Sequence, residues 1–169
     1  MDSTQLPFNL VATEEMSPRE LAALVDDARA LQRCAEAGAT QPLLRGLRFG
    51  LLDAAGDAGK DDVALFDRAA IELGAQVAHI SPSLTELSEP LEVGHAAHML
   101  GRLYDAVVCQ GMAPALVRQL NAQAGIPVYD GIASPSHPLA KAAEMSGPTA
   151  SMADHRRPLL QALLVRNMT

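Results

Sequence analysis

The strongest constraint on this chain is four short apolar runs, each divided from the next by a segment long enough to form a helix. Residues 47–52, 77–80, 106–109 and 126–129 are rich in Leu, Val and Ile, and each is too short to be a helix. Strands that are apolar on both faces must be covered on both faces. Strand–helix–strand units of this length close as right-handed crossovers onto a parallel sheet. The expected class is α/β, a four-stranded parallel sheet with helices on both faces.

The helices between the runs carry their own signals. Ser17-Pro18-Arg19-Glu20 reads as a start, with Ser as N-cap, Pro in the first turn and Glu three residues after the cap. Leu21, Leu24, Val25, Ala28 and Leu31 then repeat at helical spacing until about Cys34, and Gly38-Ala39-Thr40 opens a loop. Asp61 and Asp62 are placed to cap a helix bearing Leu65, Phe66, Ala69, Ala70 and Leu73, with Gly74 as its stop. Residues 91–104 and 114–124 supply two more helices, the second ended by Gly125. Gly147-Pro148-Thr149-Ala150-Ser151 has the composition of a linker, and Pro158 is read as opening a last helix with Leu159, Leu160, Leu163, Leu164 and Val165. The expected organisation is one α/β domain over 1–146, a linker over 147–152, and a C-terminal helix over 153–169 packed on the same domain.

Composition removes several functions. The net charge is -7 with no basic block, which argues against nucleic acid and against anionic lipid as partners. No apolar run approaches the roughly 20 residues of a membrane helix, and MDSTQLPF lacks the form of a signal peptide. Cys34 and Cys109 match no metal or redox spacing, so the reading is a cytoplasmic protein with both thiols reduced. With Trp absent and aromatics at 3%, the core must be aliphatic. There is no Gly-rich phosphate loop, dinucleotide fingerprint or nucleophile elbow, and no cofactor is expected. His95 and His98 stand three apart on a helix, as a metal pair could, but no third ligand accompanies them, so no metal is assigned.

Several separated motifs, in order, resemble ornithine carbamoyltransferases. Gly74-Ala75-Gln76-Val77 is similar to that family's LGAxV turn, and Met99-Leu100-Gly101-Arg102-Leu103-Tyr104-Asp105 to its VLGRMYD. Ile126-Pro127-Val128-Tyr129-Asp130-Gly131 resembles VPVWNG, and His137-Pro138 the start of HPTQ. The pattern runs without a gap from Gly74 to Ala140, and GRxYD favours the ornithine branch over the aspartate branch. Such a resemblance implies the carbamoyl-phosphate domain's fold. It also implies a second, amino-acid-binding domain that is missing here, with Arg156 and Gln161-Ala162-Leu163-Leu164-Val165 similar to the helix that returns to the first domain. An ordinary amphipathic helix accounts for that last segment equally well.

The resemblance also locates a binding site, and the residues there have changed. The family grips phosphate at a helix N-terminus with Ser-Thr-Arg-Thr-Arg; the matching stretch is Gly59-Lys60-Asp61-Asp62-Val63, so Asp61 and Val63 replace the two arginines. A carboxylate ~4 Å from a phosphate costs about 4 kcal/mol at an effective dielectric of 20, where an arginine gains a similar amount. That swing of about 8 kcal/mol is roughly five to six decades of affinity, of which Lys60 offsets part. Asp61 and Asp62 as ordinary helix caps explain both residues without any ligand. Gln110 stands where a third arginine would be, and Glu86 where a neighbouring subunit's loop would contribute a Gln. After His137-Pro138, Leu139 and Ala140 replace the rest of HPTQ. The candidate ligand-binding residues are thus Lys60, Asp61, Asp62, Glu86, Gln110 and His137, in a degenerate site with no catalytic residue assigned. The expected role is a non-catalytic scaffold or regulator, most simply a homotrimer, or a mixed trimer with a full-length carbamoyltransferase. Rival expectations are a small module for amine or neutral ligands, and a carbamoyltransferase active only with a partner chain.

Overall fold

A computed structural model describes residues 17–54, 56–80, 90–134, 137, 139–140 and 152–168. Its elements run in the order α1 (Pro18–Glu36), β1 (Arg48–Asp53), a 3-10 turn (Gly56–Gly59), α2 (Lys60–Glu72), β2 (Gln76–Ile80), α3 (Pro90–Leu103), β3 (Ala106–Gln110), α4 (Pro114–Ala124), β4 (Val128–Asp130) and α5 (Met152–Met168). The four strands form one sheet, ordered β2-β1-β3-β4 and parallel throughout.

Side-chain alternation along the strands splits the core into two layers. Phe49, Leu51, Val108 and Tyr129 point to the cluster covered by α1, α2 and α5; Phe66 of α2 meets Phe49 edge-on at 5.8 Å. Leu52, Val107, Cys109 and Val128 point the other way, onto α3 and α4. β3 is buried along its whole length, as a central strand covered on both sides must be.

The motif over residues 99–105 has mostly structural duties. Gly101 lies so close to α4 that a Cβ there would run into the Ala124 carbonyl. Tyr104 lays its ring on Gly50 of β1, where an added Cβ would sit 2.8 Å from the ring. Asp105 accepts from the Arg48 amide at 2.8 Å and returns a bond from its own amide to the Arg48 carbonyl. Met99, Arg102 and Leu103 have no such role and stay exposed.

The expected capping box at α1 is present, with Ser17 and Glu20 exchanging bonds of 2.9 and 3.2 Å. At α2 the expectation fails. Gly59 is the N-cap, no side chain caps it, and Asp61 and Asp62 lie inside the first turn. The reason is the preceding 3-10 turn, which delivers the chain already coiled and moves the helix start ahead of both acids.

The last helix also departs from expectation. It begins at Met152, with Pro158 inside it and not at its start, so Met152 belongs to the helix and not to the linker; residues 147–151 lie outside the described residues. An internal proline costs ~3 kcal/mol through its lost N–H and its ring. Burial outweighs that cost here, because every residue from 158 to 164 is buried. α5 lies against both α1 and α2. Its polar residues fasten it. Arg157 Nη1 reaches Glu72 at 3.2 Å, Gln161 donates to the Ala69 carbonyl and to Glu72 at 3.1 Å each, and Arg166 reaches Asp27 at 2.8 Å.

Candidate functional site

In an open parallel sheet, ligands sit beyond the carboxyl ends of the strands. Here those ends present Asp53 on β1, Gln110 on β3 and Asp130 on β4. Asp53 and Gln110 are partners in register, and the Ala54 amide donates to the Gln110 carbonyl at 2.8 Å. Alternation therefore puts Gln110 on the α2 side of the sheet. Asp130 pairs in register with Cys109 and faces the α3–α4 side.

The first turn of α2 carries Lys60 and Asp61, both exposed, then the part-buried Asp62 and the buried Val63. Asp62 is paired with Arg156 of α5, Oδ1 to Nη2 at 3.5 Å. Burial raises its pKa above the ordinary carboxylate value, Arg156 pulls it down, and Asp61 adds to the rise. The side chains of this pair are 20% and 12% exposed, which makes Arg156 a part of the site that motif reading had placed only on a returning helix.

Gln110 is 2% exposed, and its Oε1 has no hydrogen-bond partner among the described residues. His137 is buried, and its Nδ1 accepts from the Leu139 amide at 3.2 Å. That bond leaves the ring proton on Nε2, and burial lowers the pKa to about 4, so the ring is neutral near pH 7. Burial pushes the Cys109 thiol up to about 12, with Asp130 adding to the rise, so this cysteine is not a nucleophile at neutral pH.

The fold thus gathers Lys60, Asp61 and Asp62 on one turn and sets Gln110 on the same side of the sheet; His137 follows the neighbouring strand. Glu86 lies outside the described residues. No group of three His, Cys, Asp or Glu residues gathers for a metal ion among the described residues. No described helix is long and apolar enough to cross a membrane.

No family model matches the sequence. Individual proteins do. The catabolic ornithine carbamoyltransferase of Pseudomonas putida is 32% identical over 130 residues, 77% of this chain and 38% of that protein. Ornithine carbamoyltransferase from Haemophilus influenzae is 30% identical over the same shares. Over that stretch, this chain belongs to the carbamoyltransferase family. The crystal structure of ornithine carbamoyltransferase from Burkholderia thailandensis superposes with a TM-score of 0.65 at 17% identity, covering 78% of this chain and 44% of that one, which bears on the fold. The chain spans well under half the length of these carbamoyltransferases.

Proposed function

We propose that this carbamoyltransferase-like chain is non-catalytic and serves as an oligomeric scaffold or regulator. The observation that carries the reading is Asp62, held by Arg156 in the helix turn where the family resemblance puts the phosphate grip. Two acids, a buried valine and a neutral buried histidine make poor company for a phosphate dianion. Residues 141–151 are too few to hold an amino-acid-binding domain between His137 and α5. The assembly we propose is a cytoplasmic homotrimer, alone or mixed with a full-length carbamoyltransferase. Calorimetry with carbamoyl phosphate and with inorganic phosphate, beside a citrulline assay with ornithine, tests the reading. No heat and no citrulline are expected; a micromolar dissociation constant for either anion overturns it.

A second reading is favoured by one feature, the Gln110 Oε1 acceptor, which has no partner among the described residues. An acceptor beside acids suits a hydrogen-bond donor, so a small amine or amide is the ligand class for a binding module. Melting curves with ethanolamine and with acetamide separate the two, since only a ligand of the native state raises the midpoint.

A further inference from the structure

The outward face of α3 has no partner among the described residues. Glu92, His95, His98, Met99, Arg102 and Leu103 are all exposed, Met99 at 57% and Leu103 at 52%. At 100° per residue they fall within one side of the helix, opposite the buried Val93, Ala97 and Leu100. Beside them, between α3 and the end of α4, lies a recess of about 650 Å³ lined by His95, His98, Met99, Arg102 and Ala124.

The order of residues on this face decides what fits it. Glu92, His95, Met99 and Arg102 are spaced three, four and three apart, the stagger of a two-helix seam. The seam has acid at its N-terminal end and base at its C-terminal end. Turned through a two-fold axis beside position 97, Glu92 of one copy meets Arg102 of the other, and His95 meets Met99. Both ends then pair opposite charges, and Met99 fills the middle. A parallel copy would set Glu92 on Glu92 and Arg102 on Arg102. The face is therefore complementary to itself in one direction only, the condition for an isologous contact.

We infer that α3 is a two-fold docking surface for a second copy of this chain, packed antiparallel with reciprocal Glu92–Arg102 pairs. The inference does not depend on the trimer proposed above. A helix of this length is about 21 Å long, and one such pair buries less than the ~1,200 Å² of a stable interface. The dimer is accordingly weak and forms at high concentration.

Sedimentation of the whole chain up to about 1 mM, the range that weak interfaces need, reads the mass. The wild type should rise from monomer by one added copy of 17.8 kDa, or, where a trimer forms elsewhere, by joining trimer to trimer. Glu92→Arg and Arg102→Glu should each abolish that rise, with melting curves confirming that both fold. The double variant should restore it. An equimolar mixture of the two single variants should also associate, because each then offers the charges the other lacks. No concentration-dependent rise in the wild type overturns the inference. So does a rise indifferent to the single swaps, or a double variant that stays dissociated. A trimer that ignores every swap overturns this contact and leaves the scaffold reading standing.

Discussion

Asp62 and Arg156 lie 94 positions apart in the chain and form an ion pair that joins the first turn of α2 to α5. The pair ties the candidate site to the helix that closes the fold. Arg156→Ala takes from the part-buried Asp62 the guanidinium it is paired with. The cost should be about 1–2 kcal/mol, between an exposed pair and a fully buried one. Urea titrations at pH 7 check this, and Asp62→Asn combined with Arg156→Ala should recover part of the loss.

Removing residues 152–168 should be far more damaging. Leu159, Leu160, Leu163 and Leu164 are each 1% exposed or less, and burying a leucine contributes roughly 1.5–3 kcal/mol. Deletion should lower the melting midpoint by many degrees or prevent folding. An unchanged melt would mean that α5 is dispensable and that its likeness to a returning helix has no bearing on this domain.

His137 gives the fold an acid-sensitive point. Its folded pKa of about 4 lies below the ordinary histidine value, so the unfolded chain takes up the proton first as pH falls. The stability it confers is complete above about pH 6.5 and is lost as pH drops toward 4, by about 3 kcal/mol in all. Asp62 and Asp130 act in the opposite sense. Their raised pKa values let the folded state take protons earlier, which adds stability just above the ordinary carboxylate range. His137→Asn keeps an acceptor for the Leu139 amide and should flatten the loss between pH 6.5 and 4; the urea midpoint against pH is the measurement.

Gln110→Leu removes a buried oxygen that has no partner among the described residues. Leaving such a group unsatisfied costs about 1–3 kcal/mol, so the variant should melt higher. A lower melt would show that Oε1 is satisfied in solution by water or by a ligand, and would favour the binding-module reading.

Gly101→Ala should cost roughly 1–3 kcal/mol, because the added methyl is aimed at the Ala124 carbonyl and the helices must part. Equilibrium unfolding checks it, with Gly38→Ala as a contrast. Gly38 has open space around it but a φ of +69°, so its cost comes from the backbone alone.

The sequence alone determined the class, the strand positions to within about two residues and the family, because these follow from local patterns: short apolar runs, caps, and motifs read in order. It also named Lys60, Asp61, Asp62, Gln110 and His137 as candidates for a site, from motifs read in order. What it could not determine were interactions between segments distant in the chain. The 3-10 turn ahead of α2 moved Asp61 and Asp62 from caps into the helix. Arg156 reached Asp62 only once α5 had docked. Pro158 came to lie inside a helix because the burial of the leucines after it outweighed a local propensity that alone would have ended or begun one. Side-chain periodicity says which face of an element is apolar, but only the assembled fold says what that face and its charges meet. The helix of α3 shows both halves: its buried side was legible as spacing, whereas the exposure of Glu92, Met99 and Arg102 on the other side appeared only once the described elements were assembled.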